Sequence, residues 1–372
     1  MSDAFSVGIE EEYFLVDAAT KTIAAARPRE FFAAAKDALD SQVTGEMLQS
    51  QIEVATVPHV EMATARAEIR RLRRTVGDIA ATHGLAILAS GTHPTAQWVE
   101  SRHTPTERYD SLMHDLQMLG RRNMVCGMHV HVELPGSEDR IDVMYRMLPY
   151  LPLFIALATS SPFWQSHRTG LMGYRLAAYD ELPRTGVPEL FRRREEFDEY
   201  VAALTQAGVM ADSSYVWWAI RPSLKLPTLE LRAPDSCTLV DDAVAIAALY
   251  RVLARRLCRN PWLNWDMTAV TRAIIVENKW RAQRYGVHGT LVCLATHTAV
   301  PVSELIDRVV EEVMPDAEAL GCVDEVARCR VIAATGTSAD AQLAVFDAHE
   351  KVGDRDRALN AVADWIATTT LQ

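Results

Sequence analysis

Glu10 and Glu12 stand two residues apart in GIEEEYFLVD, and on a β-strand residues two apart share a face. Ile9, Glu11 and Tyr13 take the opposite face. The same arrangement recurs three times. In MLQSQIEVAT, Gln49, Gln51 and Glu53 align opposite Ile52 and Val54. In VCGMHVHVEL, His129, His131 and Glu133 align opposite Val130, Val132 and Leu134. In LPTLELRA, Glu230 and Arg232 align opposite Leu229 and Leu231. Each strand therefore has an apolar face to pack on a core and a face that carries ionisable groups.

The plain explanation is an antiparallel sheet with its polar face in water. It fits four such strands less well, because solvent faces mix in Lys, Thr and Ser, whereas these carry Glu, His and Gln with one Arg and no Lys. Clustered carboxylates repel unless a cation sits between them. Oxygen-rich ligation suits Mg²⁺ or Mn²⁺, with His as an occasional nitrogen ligand, and such sites commonly hold polyphosphate. The chain contains neither GxxxxGK[ST] nor GxGxxG after a strand, so no P-loop or Rossmann cradle is available. Metal ions and arginines are left to hold any nucleotide. Arg232, two positions from Glu230, is placed for bidentate contact with a phosphoryl group or carboxylate. The segment ENKWRAQRYGVHG adds Asn278, Lys279, Arg281 and Arg284 around Trp280 and Tyr285; its alternative reading is a surface helix end with solvated charges.

These strands need elements to position them. Residues 47–56 read as a strand stopped by Pro58. Across 61–82, Ile69, Leu72, Val76 and Ile79 recur at helical spacing, Arg70, Arg71, Arg73 and Arg74 fill much of the remaining surface, and Gly84 sits where a C-terminal cap belongs. A short strand is expected over 85–89 and another over 125–134. A helix follows from about Ile141, then a loop containing SSPFW and LPRTGVP. Asp241 or Asp242 is expected to cap a helix running to about Arg259, and the chain from Pro301 onward looks helical. Strands joined by long helices and loops read as α+β, with one domain expected over 1–372.

Composition narrows the partners. The 372 residues carry a net charge of −11, which disfavours nucleic acid. The six cysteines form no CxxC pair, as expected of reduced thiols in a cytoplasmic protein. The opening MSDAFSVGIEEEY lacks the basic start and apolar run of a signal peptide. The longest apolar run, near 148–159, contains two prolines and reads as too short to span a bilayer, so no membrane partner is expected.

Seven stretches lie in order between residues 8 and 286: GIEEEYFLVD, EMLQSQIEVATVP, GMHVHVEL, SSPFW, LPRTGVP, WWAIRPSLKLPTLELRAPD and ENKWRAQRYG. Together they resemble the carboxylate–amine ligase family, glutamate–cysteine ligase type 2, which is related to glutamate–cysteine ligases and more distantly to glutamine synthetase. The resemblance implies an antiparallel sheet with helices packed against it, the glutamine synthetase/guanido kinase-like catalytic fold. It implies an enzyme that uses ATP and Mg²⁺ to activate a carboxylate as an acyl phosphate for attack by an amine, and it suggests a homodimer. Carried over by position, the implied metal ligands are Glu10, Glu12, Glu46, Glu53, His129 and Glu230. Glu46 lies seven residues before Glu53 and is out of phase with it on an ideal strand. His131 would line the site. Glu53 and Arg232 would carry the chemistry, Arg232 by contacting the phosphoryl group. Arg175 and Arg184 are candidates for the substrate's non-reacting carboxylate, surface arginines being the plainer reading. Asn278, Arg281 and Arg284 are candidates for the substrate or ATP side. The chain departs from the family pattern at Ala219, where the WWxIRP segment otherwise has an acidic residue.

Two other readings are open at this level. His129-x-His131 at a strand end also suits a metal-dependent hydrolase of barrel fold, which needs zinc-type ligation on a βα series. A relative that has lost catalysis and only binds nucleotide is the other.

Overall fold

The computed structural model describes residues 4–136, 138–350 and 354–372. Its strands are β1 (Val7–Asp17), β2 (Val43–Gly45), β3 (Gln51–Ala55), β4 (Leu85–Leu88), β5 (Met128–Glu133), β6 (Phe163–Trp164), β7 (His167–Arg168), β8 (Ile220–Pro222), β9 (Thr228–Leu231), β10 (Thr290–Val292) and β11 (Ala299–Pro301). One sheet runs in the order β2-β3-β1-β5-β9-β8, with β4 continuing along β1 beyond β3. Every pairing in it is antiparallel. β6 with β7 and β10 with β11 form separate hairpins.

The helices are α1 (Arg29–Leu39), α2 (Met62–Thr82), α3 (Glu107–Leu116), α4 (Met118–Arg122), α5 (Arg140–Met147), α6 (Leu151–Ala158), α7 (Arg175–Tyr179), α8 (Arg194–Gln206), α9 (Val240–Arg259), α10 (Ala269–Tyr285), α11 (Val302–Leu320), α12 (Val323–Thr335), α13 (Ser338–Glu350) and α14 (Arg355–Thr370). The antiparallel sheet with helices packed against it is the expected fold class, and it does not supply the βα series that a barrel hydrolase needs.

Ile9, Tyr13, Ile52, Val54, Val130, Val132, Leu229 and Leu231 are buried in one core with α2 and α9. On α2 the buried positions Met62, Ala65, Ile69, Leu72, Val76 and Ala80 recur every three or four residues, the stripe that a helix lays on a sheet. Arg73 belongs to that stripe. It is 1% exposed rather than on the surface, and its Nη2 and Nε donate to the two oxygens of Glu11 at 2.7 and 2.8 Å. Glu11 also accepts from the Tyr13 hydroxyl at 2.6 Å. The remaining guanidinium hydrogens go to the carbonyls of Cys237, Thr238 and Thr370. The inward face of β1 is therefore apolar except for one fully partnered ion pair. A second core joins Phe14, Val16 and Leu88 to Phe346, Leu359, Val362 and Ile366 of α13 and α14.

Other sequence expectations are corrected in detail. The strand read over 47–56 is shorter. After β2 the chain leaves the ladder at Glu46 and hydrogen-bonds to the loop through Gln49 N to Arg102 O and Thr104 N to Met47 O, re-entering as β3. Asp241 and Asp242 sit inside the first turn of α9, where they complement the helix dipole while Leu239 holds the cap position. The helical run Arg140–Ala158 is long and apolar enough to cross a bilayer, yet 89% of its apolar window is buried inside the fold. Pro149 and Pro152 lie in first-turn positions there, where a missing N–H costs nothing. Ala219 is buried in the main core, so the departure from the family pattern falls on packing.

Candidate active site

Register decides which side chains meet. The pairings set Glu12 opposite Glu53, Glu10 opposite His129, His131 opposite Glu230, and Glu230 opposite Arg221. Residues directly opposite on antiparallel strands point the same way. The polar face thus gathers side chains from positions 10 to 230 into one cavity of about 580 Å³. Glu46 joins them from the irregular link between β2 and β3, which is how it escapes the phase argument. Gln51 also lines the cavity, donating to Val125 O at 2.6 Å. Gln49 is drawn off to His103 O, and Glu133 lies at the outer end of β5, accepting from Ser6.

The carboxylates here live in different electrostatic conditions. Burial alone would raise Glu10, but His129 Nδ1 and His131 Nε2, each 3.3 Å from it, outweigh that and hold it well below the usual range. Burial would likewise raise Glu230; Arg232 and Arg221 outweigh it and hold it well below the carboxylate range. Arg232 donates to Glu230 and to the Tyr179 hydroxyl, while Arg221 grips both Glu230 oxygens at 2.8 and 3.3 Å. Among the described residues neither Glu46 nor Glu53 has a Lys or Arg in ion-pair contact. Burial, then the neighbouring Glu12, push Glu46 up to about 7. Burial, then Glu10 and Glu46, push Glu53 well above its ordinary value. Glu12 accepts from Gly127 N at 2.5 Å, and the missing side chain of Gly127 leaves room for the Arg175 guanidinium. A Cβ there would lie 2.0 Å from Arg175 Nη2.

Two groups have ligand atoms mutually within 4.8 Å: Glu10 with His129 and Glu230, and Glu12 with Glu53 and His129. The Nε2 atoms of His129 and His131 are buried without an aligned hydrogen bond. Burial, then Arg232, lower the His129 imidazole, leaving it neutral and able to ligate.

The sequence candidates divide by position. Glu10, Glu12, Glu46, Glu53, His129, His131, Glu230, Arg232 and Arg175 line the cavity. Arg175 is 2% exposed and gives Nη1 to the carbonyls of Arg232 and Pro234, both at 3.1 Å, so it braces the exit of β9. Arg184 is not a lining residue. It donates to Tyr215 O at 2.9 Å and lies over Trp217, which does line the cavity. Asn278, Arg281 and Arg284 are elsewhere. Asn278 exchanges hydrogen bonds with Val292 at 2.7 and 2.8 Å, and Arg281 donates to Thr290. These groups tie α10 to the β10–β11 hairpin, and Arg284 packs over Tyr285.

Sequence reasoning missed Arg221, Tyr179 and the α3 residues Arg108, Tyr109, Leu112 and Leu116, all of which line the same cavity. A signal for α3 exists: Thr106 caps it by accepting from Tyr109 N, acidic Glu107 and Asp110 fill the first turn, and Leu112 and Leu116 follow at i, i+4.

The sequence model of glutamate-cysteine ligase family 2 (GCS2) matches residues 6–360. A relative from Bradyrhizobium sp. (strain ORS 278), under the provisional name glutamate–cysteine ligase 2, is 56% identical over 369 residues, covering 99% of this chain and 88% of that one. A relative of the same provisional name from Bradyrhizobium diazoefficiens is 54% identical, covering 99% and 84%. The solved structure of a glutamate–cysteine ligase from Francisella tularensis in complex with AMP superposes with a TM-score of 0.69 at 13% identity, covering 99% of this chain and 89% of that one.

Proposed function

The chain belongs to glutamate–cysteine ligase family 2, and on that premise we propose that it is an ATP-dependent ligase forming an amide from a small carboxylic acid and an amine through an acyl phosphate. The observation that carries this is the division of charge within one buried cavity. Glu12, Glu46 and Glu53 gather at one end with no Lys or Arg in ion-pair contact among the described residues, and two arginines hold Glu230 at the other.

The residues fit a divalent cation. The donor set is carboxylate oxygen with one neutral imidazole, two groups share His129, and Glu46 and Glu53 carry raised carboxyls that a cation would relieve. Glu10, Glu12, Glu46, Glu53 and His129 would hold Mg²⁺ or Mn²⁺. Glu230 would contribute last, since its charge already answers two arginines. When bound, the ion supplies charge neutralisation at phosphate oxygens.

The chain's own residues do the rest. Arg232, fixed by Glu230 and Tyr179, presents positive charge where the γ-phosphoryl leaves ADP and bonds to the acid's oxygen. The amine nitrogen then attacks the carbonyl carbon, the C–O bond to phosphate breaks, and phosphate departs with that electron pair. The amine's proton passes to a base in the chamber. Tyr109, Leu112 and Leu116 line the cavity and would limit water, which would hydrolyse the acyl phosphate.

The test is ATP-dependent phosphate release over a matrix of carboxylates and amines, glutamate with cysteine first, with product mass read directly. The expected result is ADP, phosphate and amide in equal amounts. Nucleotide binding without turnover across the matrix would make the protein an inactive relative and overturn the ligase reading.

A further inference from the structure

Of the charged side chains in ENKWRAQRYGVHG, Lys279 alone is buried. It donates to Asp180 Oδ2, and Asp180 is the residue on which α7 ends, its N–H bonded to Leu176 O at 2.9 Å. One turn further along α10, Gln283 O accepts from Met172 N at 2.8 Å and Gly173 N at 2.9 Å. The two contacts fasten the chain on either side of α7 (Arg175–Tyr179). A helix that short is not held by its own hydrogen bonds, so its place depends on what grips it.

α7 sends two side chains to the exit of β9. Arg175 gives Nη1 to the carbonyls of Arg232 and Pro234, and the Tyr179 hydroxyl accepts from Arg232 Nη2 at 3.2 Å. Glu230, the other partner of Arg232, is shared with Arg221. A long side chain with several rotatable bonds needs a further contact to point one way, and Tyr179 supplies it. We propose that Lys279 is a positioning residue: through Asp180 it fixes α7, and with it the Tyr179 hydroxyl that directs Arg232 into the cavity. Its effect on turnover rests on the ligase reading above, whereas the placement of Tyr179 belongs to the fold.

Wild type and variants are compared as the full chain for ATP-dependent phosphate release, with glutamate and cysteine or, where the matrix selects another pair, with that pair. Lys279→Met should lower kcat about 10- to 100-fold, the scale of a displaced reacting group. The KM values for ATP and for the acid should stay within about twofold, since the lost contact acts in the transition state. Lys279→Arg should recover most of kcat. Tyr179→Phe should lose about as much as Lys279→Met, and the two together no more than Tyr179→Phe alone, because residues that act through one contact are not additive. Asp180→Ala breaks the same pair from its more exposed side and should give the same loss, which keeps the test open if Lys279→Met does not fold. Asn278→Ala weakens α10 one position away and should keep the wild-type kcat. Unchanged kcat in Lys279→Met or Asp180→Ala, additive losses in the double variant, or an equal loss in Asn278→Ala overturns the positioning role. Absence of turnover by wild type across the whole matrix is a failure of the ligase reading alone. Crystal structures of wild type and Lys279→Met then decide: separation of the Tyr179 hydroxyl from Arg232 in the variant upholds the placement, and an unmoved contact overturns it.

Discussion

Strand β1 carries glutamates to both faces of one sheet, and the two faces treat them in opposite ways. Inward, Glu11 is fully buried and answered on the spot by Arg73 and Tyr13, with every oxygen engaged. Outward, Glu10 and Glu12 join Glu46 and Glu53 in a cluster with more negative charge than the protein neutralises. The inward pair is a structural solution, because an unpaired buried charge costs several kcal/mol. The outward cluster is unfavourable by itself, and such cost is kept where a ligand removes it. The same residue type one position apart thus fastens the strand on one side and prepares a binding surface on the other.

The largest effect expected from breaking this contrast lies inside. Arg73→Met leaves the Glu11 charge with only the Tyr13 hydroxyl and should cost about 3–5 kcal/mol in denaturant unfolding, with Glu11→Leu added to it recovering much of the loss. A cost under about 1 kcal/mol would show that the pair does not hold β1. Next, Glu53→Gln should lower ATP-dependent phosphate release at least about 100-fold, on the scale of removing one charge-stabilising group. The metal-free variant should unfold no earlier than wild type. Retained turnover would remove Glu53 from the site.

A smaller effect is read from pH. Glu46 sits at about 7 in the fold, above the ordinary carboxyl value, so the unfolded chain ionises first as pH rises and the folded state loses stability across that interval. Below it both states are protonated and nothing is lost. Metal-free Glu46→Gln should therefore match wild type near about pH 4 and exceed it by on the order of 3 kcal/mol by about pH 8. Mg²⁺ should shrink that gain by stabilising wild type. A pH-independent difference would contradict the raised carboxyl. Least of all, Asn278→Ala should cost about 1 kcal/mol through the β10–β11 hairpin and leave the KM for ATP unchanged; a large rise would return α10 to the nucleotide site.

Much of the outward face was legible because strand phase is a local property. Glu10, Glu12, Glu53, His129 and Glu230 each announced their side by alternation with apolar neighbours. Glu46 was not legible from phase, because the chain bends out of the ladder between β2 and β3. Arg73 was misread for the opposite reason: four arginines in five positions look like a solvated helix surface, and the inward one is marked only by its place in the Ile69–Leu72–Val76 stripe. Arg221 could be paired with Glu230 only once the register of the β8–β9 hairpin was known. Asn278 and Arg281 look like ligand-binding groups until the hairpin that uses their hydrogen bonds is seen.

The sequence by itself determined the faces: period-two alternation, fixed by the pleat, assigns each ionisable group a side of its strand before any strand finds a neighbour. Only the tertiary structure decided the company. It set Glu12 beside Glu53 and His131 beside Glu230, brought Arg73 under Glu11, and folded α3 against the cavity. Register and burial join residues far apart in the chain, and they depend on the whole core packing at once.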